Sequence, residues 1–195
     1  MTFKRTRLSI MAAVMLVLML AVTSLIPSLD AQAASSPKYV FYFIGDGLGA
    51  AQRQLAEFNL QEKSGDNTAK LVMNTFPTAG INTTYSGDTL VTDSAAAGTA
   101  LACGYKTNNG MISQLPDGTN VKSLIECAEE RGMGTGLITT TRITHATPAV
   151  FASHNPDRNA ENEIAADIAG SGVDFIAGGG IRHFVPQDWE WGSSK

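Results

Sequence analysis

A carboxylate stands between two glycines in the segment 45–50, which reads GDGLGA. Asp46 suits a hard or borderline cation, and the glycines let a phosphate approach the backbone closely. The segment also fits the loose G-x-G-x-x-G/A dinucleotide pattern, with Glu62 and Asp66 near the position of a ribose-binding acid. Asp46 argues against a dinucleotide, because it would face a pyrophosphate of like charge. A plain glycine-rich turn with a solvated carboxylate is the third alternative, and this loop alone leaves all three open.

A serine lies near the start of the small-residue segment 92–100, which reads TDSAAAGTA. Thr92 or Asp93 can cap a helix here, which places Ser94 in its first turn. Exposed backbone N–H groups and the positive end of the helix dipole favour an anion there, so the Ser94 hydroxyl can attack or hydrogen-bond a phosphate. The alternative is an ordinary cap on a tightly packed helix. A Ser-His-Asp acyl hydrolase is disfavoured, because the G-x-S-x-G pattern is absent around Ser94.

A third group of polar residues occupies the segments 139–148 and 154–158, which read TTTRITHATP and HNPDR. His145 and Thr147 are close enough in sequence to serve one cation, directly or through a water. Arg158 can hold two phosphate oxygens with its planar guanidinium. Taken singly, a His or Arg in a loop is usually a solvated or hydrogen-bonding residue.

The three loops fall between predicted strands and helices. An unbroken apolar run predicts a buried strand, and an i, i+3, i+4, i+7 stripe after a cap at Asn120 predicts a helix that Gly132 ends. The predicted strands are 38–44, 136–141 and 173–177, and the predicted helices are 50–61, 121–131 and 161–169. This alternation predicts an α/β fold with a parallel-rich sheet, whose ligands bind beyond the carboxyl ends of the strands.

Composition excludes several classes of protein. The chain has 195 residues, 44% of them hydrophobic, a net charge of −4 and two cysteines. This length predicts one domain, or one domain with an incomplete second. The acidic balance argues against nucleic acid as a partner, and a mean hydropathy of +0.01 excludes a multi-span membrane protein. Two cysteines are too few for a disulfide-built miniprotein.

The N-terminus has the pattern of an export signal. Lys4, Arg5 and Arg7 precede a mostly apolar run, 8–22, and an A-x-A cleavage pattern ends at Ala33. A cleaved signal peptide over 1–33 is therefore expected, with an uncleaved membrane anchor as the alternative. The mature protein would be periplasmic or extracellular and would touch the membrane only through this segment. Export would permit a disulfide between the two cysteines without requiring one.

Together the three loops resemble the alkaline phosphatases. The resemblance rests on GDGLG at 45–49, TDSAA at 92–96 and THATP at 144–148, followed by Arg158, in matching order and spacing. It implies an alkaline-phosphatase-like α/β fold with helices on both faces of the sheet. It also implies a metal-dependent phosphomonoester hydrolase with two zinc ions and one magnesium ion.

The resemblance further implies a role for each matched residue. Asp46 would bridge a zinc and the magnesium, and Ser94 would be a zinc-activated nucleophile that is transiently phosphorylated. Thr147 would give an oxygen to the magnesium site, and Arg158 would bind the phosphoryl oxygens. Family members carry Asp or His at the position of His145, which would act on a metal through a water or a weaker direct bond. These groups suit phosphoryl transfer, in which cations, an arginine and an in-line nucleophile stabilise the developing charge.

The chain departs from the family in length. Family members are considerably longer and take most zinc ligands from their C-terminal half, whereas this chain has three histidines, at 145, 154 and 183. We therefore expect residues 34–195 to be the N-terminal part of an alkaline phosphatase domain. Its sheet would have an unpaired apolar edge, and its activity alone would be small or absent. The expected partners are a phosphomonoester and inorganic phosphate, and a homodimer is an expectation for the full-length enzyme.

Two other functions stay open. One is a non-catalytic exported module that binds phosphate or a phosphoester through Ser94, Arg158 and a single cation. The other is a dinucleotide-binding oxidoreductase built on Gly45, Gly47 and Ala50, which requires the looser reading of the first loop.

Overall fold

The computed structural model describes residues 37–186 and 188–189. The predicted signal peptide, 1–33, lies outside these residues. The chain divides into two compact units, Met1–Ile44 and Gly45–Lys195. None of the helices in the described part of the chain is long and apolar enough to cross a membrane.

The second unit contains helices and strands in alternation. Five α-helices and two β-strands are described in it, together with short 3₁₀ helices at Val72–Thr75 and Ile181–His183. In chain order they are α1 (Ala50–Ser64), α2 (Ser94–Cys103), α3 (Leu124–Glu129), β1 (Gly136–Arg142), α4 (Ala146–Ala149), α5 (Glu161–Gly170) and β2 (Phe175–Gly179). The helices predicted over 50–61 and 161–169 and the strand over 136–141 are thereby confirmed.

The two strands form a parallel pair, which confirms the α/β prediction. Gly136 lies opposite Phe175 and Ile138 opposite Ala177, with an irregularity before Arg142. A parallel pair needs a crossover connection, and the chain supplies one through α4 and α5. The turn that leaves the carboxyl end of β1 ends at His145, and Thr147 follows in α4, so two predicted site residues lie beyond the same end of this strand.

The prediction of a strand over 38–44 is wrong for this structure. Residues 37–44 form no helix or strand, and Phe41 and Phe43 are 78% and 87% exposed. A strand exists only when its backbone groups pair with a neighbour, and no described strand pairs with this segment. The segment therefore has the apolar composition of a buried strand, but the described residues lack the neighbouring strand with which it would have to pair.

Two other element boundaries differ from the prediction. The strand predicted over 173–177 is β2, which begins at Phe175. Before this pairing starts, the carboxylate of Asp174 accepts a hydrogen bond from the Thr135 amide at 2.9 Å. Helix α3 begins after Ser123, whose hydroxyl accepts from the Glu126 amide at 3.2 Å in a capping box. The predicted cap at Asn120 is thus wrong.

The C-terminal end of α3 follows the predicted signal. Gly132 adopts a φ of 66° and its amide donates to the Glu129 carbonyl at 2.8 Å. The Met133 amide donates to the Ala128 carbonyl at 3.1 Å. These two bonds are the Schellman pattern, in which the left-handed residue is usually glycine.

The buried residues lie mainly in α2, in and just after α4, and on one face of α5. Ile112, Val150, Ile164 and Ile168 are each at most 1% exposed. Helix α2 approaches α4 closely because Gly98 faces Val150, and a Cβ at position 98 would lie 3.0 Å from the valine Cγ2. This packing fixes the N-terminal ends of α2 and α4, which carry the candidate site.

The two cysteines, Cys103 and Cys127, are free thiols in the structure. The Cys103 thiol donates to the Ser113 hydroxyl at 3.3 Å, and burial raises its pKa. The disulfide that export would permit is not formed.

Candidate active site

The carboxylate of Asp46 meets α4 although the two are 101 residues apart in sequence. The Thr147 hydroxyl donates to Asp46 Oδ2 at 2.7 Å. The pKa of Asp46 is lowered, first by this hydrogen bond, with nearby Ser94, His145 and Arg158 acting in the same direction. The other four residues that the sequence singled out as catalytic or metal-binding therefore lie near this carboxylate.

Ser94 is the first residue of α2, as predicted. Asp93 caps the helix, since its Oδ1 accepts from the Ala96 amide at 2.9 Å. Thr92, the alternative cap, instead donates its hydroxyl to the Asp93 carbonyl at 3.0 Å. The Ser94 hydroxyl thus lies at the positive end of a ten-residue helix, where an anion is favoured.

Arg158 is held in the site from two directions. Its Nη1 donates to Asp93 Oδ2 at 3.0 Å, and its backbone amide donates to the Gly110 carbonyl at 2.8 Å. The Gly110 amide in turn donates to Asp93 Oδ2 at 2.9 Å. About a quarter of each charged side chain is exposed, 24% for Arg158 and 23% for Asp93. Asp93 was predicted only as a cap, and its second oxygen is what orients the arginine.

His145 contacts the arginine through its ring. Arg158 Nη2 lies 3.1 Å from His145 Nε2, and a guanidinium can only donate, so Nε2 accepts and Nδ1 carries the proton. Burial and the Arg158 charge lower the pKa of His145, which keeps the ring neutral. Its Nδ1 is a buried polar atom without a hydrogen-bond partner among the described residues.

The other two histidines lie outside this cluster. His154 contacts the Ser113 carbonyl at 2.9 Å and Glu126 at 3.0 Å. It lines a separate cavity of about 540 Å³ between α3 and α5 that contains none of the predicted site residues. His183 contacts Asn162 at 2.8 Å and Glu161 at 3.0 Å. Both histidines are therefore explained by local hydrogen bonding.

Sequence reasoning also missed Glu161 at the start of α5. Its carboxylate accepts from Arg142 Nε at 2.7 Å and Nη2 at 2.9 Å, and from the Thr144 hydroxyl at 2.6 Å. The Arg142 hydrogen bonds lower its pKa to about 2. No local pattern marks this residue, because its partners lie 17 and 19 positions away.

Comparison with known proteins identifies the family. The family described as alkaline phosphatase matches residues 37–192. The repressible alkaline phosphatase of Saccharomyces cerevisiae is 37% identical over 192 residues, covering 94% of this chain. Alkaline phosphatase 3 of Bacillus subtilis is 39% identical over 165 residues, covering 77%. The chain belongs to the alkaline phosphatase family.

Solved structures agree with the alkaline phosphatase assignment. The enzyme from the Antarctic bacterium TAB5 is 39% identical with a TM-score of 0.63, covering 72% of this chain and 39% of that one. The enzyme from Thermus thermophilus is 38% identical with a TM-score of 0.68, covering 77% of this chain and 32% of that one. The chain spans about a third of the length of the curated relatives above, 34% in each case.

The side chains around Asp46 offer more oxygen donors than nitrogen donors to a metal ion. One solved TAB5 variant, with a histidine replaced by aspartate, has Mg bound in a site termed M3. In this chain the oxygens of Asp46, Ser94 and Thr147 converge, and oxygen donors are those that Mg²⁺ prefers. No group of three His, Cys, Asp or Glu side chains able to hold a metal occurs among the described residues. The donors thus fit part of a magnesium site and fall short of a zinc site, which takes three or four protein ligands.

Proposed function

We propose that this chain carries the nucleophile-bearing part of a phosphomonoester hydrolase that works through a phosphoserine. The convergence of Ser94, Asp46, Thr147 and Arg158 carries the proposal, since three segments far apart in sequence supply them. Phosphoryl transfer needs a nucleophile, positive charge near the phosphoryl oxygens and little else. Membership of the alkaline phosphatase family supports the reaction class.

The side chains divide the work as follows. Ser94 Oγ forms a bond to phosphorus as the bond from phosphorus to the substrate oxygen breaks, and the serine proton passes through solvent to that oxygen, which leaves as the alcohol. Water then attacks the phosphoserine, which releases inorganic phosphate and returns the proton to Ser94 Oγ. Arg158 has five N–H donors, of which Asp93 and His145 use one each, so others remain for phosphoryl oxygens. The α2 N-terminus adds backbone N–H groups beneath the same position.

The family resemblance supplies the proposed cofactors, two zinc ions and one magnesium ion. Asp46, Ser94 and Thr147 would hold metal through oxygen, and His145 would act on a metal through a water. When bound, such ions neutralise phosphoryl charge and lower the pKa of a coordinated hydroxyl. His145 Nδ1, protonated and without a described partner, suits a water-mediated contact better than direct ligation.

We infer that the remaining ligands come from polypeptide outside the described residues, and that the 195-residue chain alone has little or no activity. The described part of the chain offers no second cluster of ligands. Large apolar side chains such as Ile81 and Leu90 are 103% and 90% exposed, as expected where further polypeptide would pack. The curated relative from yeast is about three times as long as the matched segment. A protein of that length would have further residues to bind the metals and to cover these exposed apolar side chains.

Export completes the proposal. Residues 1–33 would be a cleaved signal peptide, the protein would be periplasmic or extracellular, and the full-length enzyme would be a homodimer. N-terminal sequencing of the protein recovered outside the cytoplasm tests the cleavage, which should leave Ala34 as the first residue.

Hydrolysis of p-nitrophenyl phosphate at alkaline pH, with added Zn²⁺ and Mg²⁺, tests the activity. The comparison takes this chain and a version extended through the downstream reading frame, each with and without Ser94→Ala. Ser64→Ala, an exposed serine at the end of α1, is the matched control. We expect turnover only by the extended protein. Ser94→Ala should abolish this turnover, and Ser64→Ala should leave it unchanged. Ser94-dependent turnover by the 195-residue chain would contradict the claim that ligands are missing.

A non-catalytic phosphate-binding module is the second candidate. It is favoured by the absence of a full metal-ligand cluster among the described residues. Phosphate binding that depends on Arg158, with no turnover by any version of the protein, would establish it in place of the hydrolase.

A further inference from the structure

The turn that follows β1 leads to His145 and, in α4, to Thr147, and one carboxylate holds this turn. Glu161 holds Arg142, the last residue of β1, by two parallel hydrogen bonds of 2.7 and 2.9 Å. It also accepts from the hydroxyl of Thr144 at 2.6 Å. Thr144 is fully buried and immediately precedes His145. Both ends of the stretch before His145 are therefore tied to the same side chain.

Glu161 links this turn to the segment that carries the arginine. It is the first residue of α5 and lies three positions after Arg158. His183 Nε2 lies 3.0 Å from the same carboxylate, and only 16% of the Glu161 side chain is exposed. A charge-assisted fork of this kind fixes orientation as well as distance.

The site side of the turn is held less firmly. The His145 imidazole receives one hydrogen bond, from Arg158, and its Nδ1 has no partner in the described part of the chain. Its backbone amide donates to the Arg142 carbonyl at 3.0 Å. The position of the ring and of Thr147 beyond it therefore follows from the stretch 142–144. Glu161 holds the side chains at both ends of this stretch, and the Ile143 amide between them donates to the Gly179 carbonyl at 3.0 Å.

We propose that Glu161 is a positioning residue, whose carboxylate sets where His145 and Thr147 lie around Asp46. This inference rests on the proposed function, because it concerns the same site. Groups that orient ligands commonly change metal affinity about tenfold or more when they are removed. A misplacement of roughly 1 Å is enough to lower the rate of a reaction about a hundredfold.

The test observes the site without requiring turnover. NMR spectra of the ¹⁵N-labelled chain would give the amide signals of His145 and Thr147 and the imidazole signals of His145. The variants are Glu161→Gln, which removes the charge at nearly constant shape, and Glu161→Asp, which keeps the charge. Glu163→Gln is the control, because Glu163 lies in the same first turn of α5 and its carboxylate contacts Asn155 at 3.4 Å.

We expect Glu161→Gln to shift the His145 and Thr147 signals, Glu161→Asp to return them part-way, and the control to leave them in place. Titration with Mg²⁺ alone should show about tenfold weaker binding in Glu161→Gln. The proposal is overturned if Glu161→Gln lowers the melting temperature but leaves the signals at wild-type positions, or moves them no more than Glu163→Gln does.

A milder variant decides the question if Glu161→Gln does not fold. Thr144→Val removes only the 2.6 Å hydrogen bond to Glu161, and it should shift the His145 signals in the same direction as the glutamate variants. Unshifted signals in a folded Thr144→Val would overturn the proposal. If wild type shows no Mg²⁺-dependent change at Asp46 or Thr147, the proposed metal role fails, whereas the ligand-free signals still decide the role of Glu161.

Discussion

Replacing Asp93 separates the three tasks that this carboxylate performs. Oδ1 caps α2 at the Ala96 amide, while Oδ2 accepts from the Gly110 amide and from Arg158, all at 2.9–3.0 Å. Asp93→Ala removes every contact, whereas Asp93→Asn keeps one acceptor oxygen and places an NH₂ group where the second oxygen was. The free energies of unfolding of the two variants should therefore differ by about the contribution of one hydrogen bond.

The size of each effect follows from the contacts. Loss of an N-cap costs about 1 kcal/mol, and loss of the Gly110 hydrogen bond costs about 1 kcal/mol. The ion pair with Arg158 is about three-quarters buried, so we assign it about 1 kcal/mol, at the upper end for exposed pairs. Asp93→Ala should thus cost about 3 kcal/mol and Asp93→Asn about 2 kcal/mol. At roughly 2–4 °C per kcal/mol for a domain of this size, the alanine variant should melt about 6–12 °C lower.

Equilibrium urea unfolding at pH 7, followed by far-ultraviolet circular dichroism, measures these differences. Glu62→Gln, an exposed acid on α1, controls for the loss of one negative charge and should change stability by less than about 0.5 kcal/mol. A free energy of unfolding of Asp93→Ala within about 0.5 kcal/mol of the wild-type value would contradict the contributions assigned to these contacts. Equal destabilisation by the alanine and asparagine variants would show that the retained oxygen does not cap the helix.

Three further variants test the contacts around the site. The pKa of Glu161 is lowered to about 2 from 4.5, so its stabilisation is complete above about pH 4.5 and is lost as the pH falls through about 2. Urea midpoints at pH 7 and pH 2.5 should therefore show wild type losing roughly 1–2 kcal/mol more than Glu161→Gln, after allowance for solvent screening; equal losses would contradict this. Gly98→Ala should destabilise by about 1 kcal/mol despite better helix propensity, because its Cβ meets Val150 Cγ2 at 3.0 Å, and Val150→Ala in the same chain should offset part of the cost in a melting experiment. Ser123→Ala should cost about 1–2 kcal/mol in urea unfolding, since its buried hydroxyl caps α3 at the Glu126 amide; a neutral result would mean that the cap contributes nothing.

Local signals predicted most of the elements that carry the site. Asp93 was a candidate cap by residue type alone, and the structure uses it as one. Gly132 ended a helix as predicted, because a left-handed residue satisfies the last carbonyls. The capping box of Ser123 and Glu126 has the sequence pattern S-x-x-E, which predicts the observed start of α3, whereas Asn120 does not.

Non-local pairing was beyond the reach of the sequence. The run 38–44 has the composition of a buried strand, but a strand is defined by its neighbours, and none of those described pairs with it. The same limit hid Glu161, whose residue type and position suggest only an acidic first turn of a helix. Its role depends on Arg142 and Thr144, which the fold brings to it from the preceding strand and turn.

The described residues include the contacts that orient Arg158 and Ser94, whereas they include no full cluster of metal ligands. Asp93 and the Gly110 backbone hold Arg158 without any ion, and α2 places Ser94 by its own capping. Side chains that are fixed before a ligand arrives lose little entropy when it binds. Under the proposed function, phosphate binding and metal-dependent turnover should therefore be separable in this protein: phosphate binding should depend on Arg158 in the 195-residue chain, and turnover should require further metal ligands.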